Sequence, residues 1–240
     1  MSGRKRFFTE KIEGRTEVEL SGEEFVHAKT VQRVEEGSEI TLLDGSGKEY
    51  TAIVAKVGKH SLTAHVTGER NGDKEPQTLI YLLCGALKGD KTELVVQKAT
   101  ELGAGRIGVF SSEYCAAYMN ANKLERLNKV AREAAKQCMR SRAPEVVYFE
   151  NFKSAVDSAK DCQNKIFACE FATKSDCDIS ELKGSTAIVV GSEGGFSESE
   201  AQVAKECGFS QITLGKRILR AETAAVALMS LVSFSLGELK

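Results

Sequence analysis

The sequence predicts an α/β protein in two parts: a small β-barrel over residues 1–73, then a larger domain with a mostly parallel sheet over 74–240. Two observations carry this. As far as residue 67, short β-type runs alternate with tight, glycine-containing turns, the pattern of a compact barrel. From residue 78 apolar strands alternate with amphipathic helices, which implies a parallel sheet covered by helices. Between them GERNGDKEP (68–76) is polar, holds two glycines and one of the two prolines, and reads as a linker.

In the first part, strands are expected over 39–43 and 49–57. They flank Asp44-Gly-Ser-Gly47, whose glycines supply the positive φ values that a hairpin needs. A third strand, 61–67, follows the turn at 58–60, and 23–34 has the apolar spacing of a short helix. In the second part, strands are expected over 79–84, 107–110, 146–149, 165–168, 187–190 and 211–214. The stretch 91–102 is an amphipathic helix closed by Gly103. Leu124, Leu127, Ala131, Ala134 and Cys138 recur at helical steps, so 123–138 is a helix. Further helices are expected near 152–160, 198–207 and 221–236. The last is apolar nearly all round, which calls for burial on more than one side.

Composition excludes several classes. No stretch approaches the ~18 apolar residues of a spanning helix, so no membrane role is expected. The amino terminus has basic residues but no apolar core, so no secretory signal is expected. Seven scattered cysteines form no CxxC pair, which points to reduced thiols in a cytoplasmic protein and not to zinc or disulfides. The three histidines (27, 60, 65) have no ligand spacing, and no metal site is expected. A net charge of −1 leaves a nucleic-acid partner open, because clustering matters more than the sum. Basic residues gather at Arg4-Lys5-Arg6, at Lys136, Arg140 and Arg142, and at Lys216, Arg217 and Arg220.

Three loops follow predicted strands: GALKGDK (85–91), GSEGGF (191–196) and LGKRILR (214–220). Open α/β sheets place ligands at the carboxyl ends of their strands. Such a loop at a helix start can offer backbone N–H groups to an anion. Ser197 with Glu200 has the spacing of a capping box. None of the loops has P-loop or dinucleotide-fold spacing. Each is also readable as a plain turn, with Asp90 or Thr92 simply capping its helix. QCMRSR (137–142) ends a helix, where arginine complements the dipole and is equally suited to forking onto phosphate.

Taken together, KGDKTELVVQKATELGA (88–104), EAAKQCMRSRAPEV (133–146), VVGSEGGFSESE (189–200) and LGKRILRAETAAVAL (214–228) resemble the motifs of the ribosomal RNA small-subunit methyltransferase E family. RKRFF (4–8) and DGSGKEY (44–50) extend the likeness over nearly the whole chain. Ser192 stands where that family usually has proline, and Lys136 and Met139 replace a common acid and glycine. The resemblance implies a PUA-like RNA-binding barrel, then a SPOUT-type α/β domain whose carboxyl-terminal segment threads a trefoil knot, assembled as a homodimer. It also implies S-adenosylmethionine as cofactor and N3-methylation of a specific uridine in small-subunit ribosomal RNA, free or in the assembled subunit.

By the same resemblance, cofactor contacts are expected from Leu83, Gly85 and Leu87, from Gly191, Glu193, Gly194, Gly195 and Phe196, and from Leu214, Gly215, Ile218 and Leu219. RNA contacts are expected from Arg4, Lys5, Arg6 and Arg33 in the first domain and from Lys88, Arg142 and Arg217 in the second. Phe7 and Phe8 suit base stacking and equally suit a core. N3 of uracil is largely protonated at neutral pH, so a guanidinium near O2 or O4 would stabilise the anion that develops. Arg140, Arg142 or Arg220 could supply it. Glu222 could accept the proton, hold an arginine, or serve only as an acid at a helix start. N3 lies on the pairing edge, so the target must be unpaired or extruded.

Overall fold

The computed structural model describes residues 5–169 and 174–239. The chain divides into two compact units. The first takes in residues up to Glu75 together with Ala135–Ala143; the second holds Pro76–Ala134 and the chain from Pro144 onward.

The first unit is a five-stranded curled sheet in the order β1-β3-β4-β5-β2. Its strands are β1 (Arg6–Phe8), β2 (Glu17–Ser21), β3 (Glu39–Leu43), β4 (Lys48–Val57) and β5 (Ser61–Asn71). β1 runs parallel to β3, and the other pairs are antiparallel. Two register shifts between β4 and β5, at Thr51/Ala52 and Val54/Lys56, add the twist that curls the sheet. Phe7, Leu20, Ile40, Leu42 and Leu62 meet in its core. The expected hairpin turn forms, with φ of 76° at Gly45 and 98° at Gly47. The first half of the expected linker is instead strand: β5 continues to Asn71 because Glu49 and Lys48 still have partners in Arg70 and Asn71. The expected helix over 23–34 is shorter. α1 (Gly22–Val26) passes into a π-type turn at His27–Val31, and Arg33 at φ 48° stops it.

The second unit is a six-stranded sheet, parallel throughout, in the order β11-β9-β10-β6-β7-β8. Its strands are β6 (Ile80–Gly85), β7 (Arg106–Phe110), β8 (Glu145–Phe149), β9 (Asn164–Ala168), β10 (Thr186–Val190) and β11 (Ser210–Ile212). The helices are α2 (Lys91–Glu101), α3 (Ala121–Gln137), α4 (Phe152–Asp157), α5 (Glu198–Glu206) and α6 (Ala221–Ser235). Every residue of β6 and β10 is buried, because apolar layers cover both faces. Val95 and Val96 of α2 and Leu228 and Met229 of α6 fill one layer. Phe110, Phe152, Phe167 and Phe196 fill the other, with Phe167 and Phe196 ring centroids 4.5 Å apart. Strand order reverses between β6 and β10, so their carboxyl ends open the crevice where such sheets bind ligands.

Candidate active site

β6 ends at Gly85 and β10 at Val190, and the two following loops touch. A Cβ on Gly85 would lie 2.5 Å from the Ser192 nitrogen and 2.9 Å from the Gly191 carbonyl carbon. Only glycine permits that approach. The 191–196 loop then folds tightly: Gly195 sits at φ 71° and its N–H donates to the Ser192 carbonyl at 3.0 Å. A Cβ on Gly194 would lie 2.5 Å from the Tyr114 carbonyl oxygen. The capping box expected at α5 is present, with Ser197 N–H donating to Glu200 and Glu200 N–H to the Ser197 hydroxyl. Those two amides are thereby committed within the chain, so an anion at the α5 start would have to displace them.

Lys91 ties the loops together. Its ammonium lies 3.1 Å from Glu193 Oε1 and 3.8 Å from Glu222 Oε1, while the Lys88 N–H donates to Glu193 at 3.1 Å. Burial acts to raise the Glu193 carboxyl, but the bonds from the Lys88 amide and Lys91 outweigh it and hold its pKa below the usual value. Glu222, in the first turn of α6, keeps 14% of its side chain exposed, and its buried Oε2 has no hydrogen-bond partner among the described residues. Arg220, the N-cap residue of α6, is exposed. Sequence reading had no reason to single out Lys91: its carboxylate partners lie 102 residues and more away, and no local pattern reports such a contact.

The remaining predicted residues divide by unit. Gly215, at φ 93°, together with Lys216, Arg217 and the 95% exposed Ile218 forms a protruding loop; Leu214 and Leu219 are half-buried. Leu83 and Phe196 send their side chains into the core, so at those positions only the backbone is left for a ligand, whereas Leu87 packs on the core and also lines a groove. Cys84, enclosed in β6, has its thiol pushed up to about 12 by burial and is no nucleophile.

In the first unit the Arg6 expectation needs correction. Its side chain is 2% exposed and donates to Glu49 at 2.8 Å and to the Arg140 carbonyl at 3.0 Å, so it cannot reach a phosphate. Phe7 is core as well. Arg140 is also corrected: its guanidinium is buried and paired with Glu75 at 3.0 Å, a commitment that gives it a structural role and not a contact with a reacting base. Lys5 and Arg33 are brought together, the ammonium donating to the Arg33 carbonyl at 3.4 Å. Arg142 is exposed and donates to the Ser46 carbonyl. Arg4 lies outside the described residues.

Residues 73–233 match the family described as RNA methyltransferase domain, and residues 20–67 the RNA methyltransferase PUA domain. The ribosomal RNA small subunit methyltransferase E of Bacillus subtilis is 31% identical over 96% of either chain. The chain belongs to that methyltransferase family. The counterpart from Mesomycoplasma hyopneumoniae is 34% identical over 71% of this chain and 76% of its own. Among solved structures, the family member from Neisseria gonorrhoeae bound to S-adenosyl methionine superimposes with a TM-score of 0.86 at 31% identity, covering 97% of this chain and 98% of that one. A methyltransferase from Legionella pneumophila in complex with the same cofactor gives 0.88 at 28% identity, over 97% and 98% of the two chains. Membership explains the shared architecture of curled and parallel sheets.

Proposed function

We propose that this protein transfers a methyl group from S-adenosylmethionine to N3 of a specific uridine in small-subunit ribosomal RNA. The observation that carries this reading is the contact of the Gly85 and Gly191–Ser192 loops at the reversal point of the sheet, beside the Lys91–Glu193–Glu222 cluster. The residues suit the cofactor. The cluster sets two carboxylates against one ammonium, a surplus of negative charge suited to a sulfonium and an α-amino group. Glu222 Oε2, which has no hydrogen-bond partner among the described residues, is an acceptor left for the substrate and not for the cofactor. Backbone of 191–196 and 214–219, with Gly85 and Leu87, would hold it.

The cofactor supplies an already activated methyl group, so neither a metal nor a covalent protein adduct is required. What remains for the chain is to favour the N3 anion. Arg220, exposed one residue before α6, would stabilise charge on a uracil carbonyl oxygen, while Glu222 would take the N3 proton at Oε2. Lys91 would hold the Glu222 carboxylate in place through its other oxygen. The exposed Arg33, Arg142 and Arg217 and the half-buried Lys5 would meet phosphates. An enzyme that modifies ribosomal RNA in this way would work in the cytoplasm.

Two further parts of the reading rest on α6. It buries Ala225, Leu228, Met229 and Val232 but leaves Leu231 46% and Phe234 59% exposed, a face suited to a second copy in a homodimer. The seating of α6 on α2, β6 and β10 is compatible with the carboxyl-terminal segment threading a trefoil knot.

The experiment is to treat unmethylated small-subunit RNA, and assembled subunits, with enzyme and labelled cofactor, digest, and identify the nucleoside by mass spectrometry. The expected product is 3-methyluridine. A methyl on the ribose 2′-oxygen, or no transfer to either substrate, overturns the proposal. Light scattering tests the dimer, which a mass of 26 kDa would exclude.

A further inference from the structure

A groove of about 340 Å³ opens in the second unit beside the loop after β6. Ala86, Leu87 and Leu127 give it an apolar floor. Its far wall is the segment before α3, where Tyr118 leaves 73% of its surface exposed. The Lys123 ammonium donates to the Tyr118 carbonyl at 2.7 Å and so fixes that wall. Lys88, Lys123 and Arg126 stand around the opening against one carboxylate, Glu93, in a chain whose net charge is −1. Arg126 Nε bonds Glu93 at 2.8 Å, yet two-thirds of the arginine side chain is exposed.

These features select a ligand. An apolar floor with an exposed aromatic ring suits the face of a base, and a surplus of cations suits phosphate. Inorganic phosphate has no use for the floor, and an acidic peptide none for the ring. The groove also shares its wall with the candidate active site. Leu87 and Lys88 line it, and the Lys88 N–H is bonded to Glu193. A uridine that must be unpaired or extruded to react leaves the strand opened at that point, where an adjoining nucleotide can reach a second place on the protein.

We infer that this groove holds a nucleotide of the substrate RNA adjoining the one that reacts, its base stacked on Tyr118 and its phosphate met by Lys88 and Lys123. The inference rests on the proposed methyl transfer to RNA and adds a second place where the strand is gripped. It also gives Tyr118 and Lys123 a part in substrate choice, through the base they accept.

The test uses the full-length protein with Tyr118→Ala, Tyr118→Phe and Lys123→Glu. Cofactor affinity is read by calorimetry, and affinity for a short single-stranded RNA spanning the target by fluorescence anisotropy across a salt series. Tyr118→Ala is expected to weaken RNA binding about 5- to 100-fold, the loss of one stacked base, with Tyr118→Phe restoring it. Lys123→Glu is expected to reduce the salt slope by about 0.7 or more. Cofactor affinity stays unchanged in all three. Wild-type RNA affinity and salt slope in both Tyr118→Ala and Lys123→Glu overturn the groove proposal while leaving the methyl-transfer reading intact. Displacement of the RNA by an acidic peptide of equal charge overturns it too. Failure of the wild-type enzyme to methylate RNA overturns the reading on which it rests.

Discussion

Two basic clusters of this chain look alike in sequence and have opposite fates. Lys5-Arg6 precedes two phenylalanines in the first unit, and Lys216-Arg217 precedes Ile218 and Leu219 in the second. In the first, β1 pairs with β3 and strand alternation puts Arg6 on the face opposite the core residue Phe7, where Glu49 and the Arg140 carbonyl enclose it. In the second, Gly215 at φ 93° lifts the chain off the sheet after β11, and Lys216, Arg217 and Ile218 stay in solvent. A run of positive charge therefore identifies neither a ligand site nor a structural ion pair. Whether the backbone there is paired in a sheet decides between them.

The comparison is broken most sharply at Arg220. Replacing it with alanine should lower kcat by about 10²–10³, the cost of losing one donor to developing charge, with RNA affinity little changed. Its side chain makes no capping bond to α6, so the thermal midpoint should stay near wild type. Steady-state kinetics beside a melting curve tests this, and a variant with wild-type kcat would remove Arg220 from the chemistry.

Arg6→Ala should do the reverse. Glu49 is 3% exposed, and losing one partner of a buried pair costs about 3–5 kcal/mol; the remaining ion pair with Arg70 at 2.6 Å places the loss toward the lower end. Denaturant unfolding measures it. Burial acts to raise the Glu49 carboxyl, but Arg6 and Arg70 outweigh it and hold its pKa below the ordinary 4.5. A carboxyl lowered on folding gives stability that is fully present above the unfolded value and lost as pH falls through the folded one. Melting midpoints should therefore drop on acidification below about pH 4.5, and drop less steeply in Glu49→Gln.

Arg217→Glu, on the exposed side of the comparison, should leave stability unchanged. It should flatten the logarithmic salt dependence of RNA binding by about 1, since each phosphate contact releases close to one counterion. An unaltered slope in a titration across salt would make the Arg217 loop a plain solvated surface.

The smallest expected effect is at Met139, where the backbone holds φ 67°. A non-glycine residue there costs about 1–2 kcal/mol, offset in part by the extra freedom that glycine has when unfolded. Met139→Gly should raise stability by about 0.5–1 kcal/mol, read as a shift of the urea midpoint at constant slope. This gives a physical reason for the glycine common among resembling sequences. The other substitution nearby has its own compensation: Lys136 is buried, and its ammonium lies 3.2 Å from Glu24.

Most of the second unit was legible from local pattern. Its strands are apolar runs, α2 and α3 carry amphipathic spacing, and the Ser197–Glu200 box is a four-residue signal that local geometry satisfies by itself. The expected linker failed because strand pairing is not local: residues 68–71 are polar, yet β4 supplies the partners that make them strand. The helix expected over 23–34 stops short, at Val31, because Arg33 adopts a left-handed conformation that its residue type does not announce.

The site divides in the same way. By itself the sequence determined which loops follow which strands and where glycine removes side-chain bulk. Tertiary structure alone decided that Gly85 meets Ser192, that Lys91 joins Glu193 to Glu222, and that Arg6 and Arg140 are enclosed while Arg217 and Arg220 are not. The physical reason is sequence separation. Backbone preferences and capping act within a few residues, whereas enclosing a charge needs an opposite charge or a carbonyl delivered by a distant segment, and only the packed sheets deliver one.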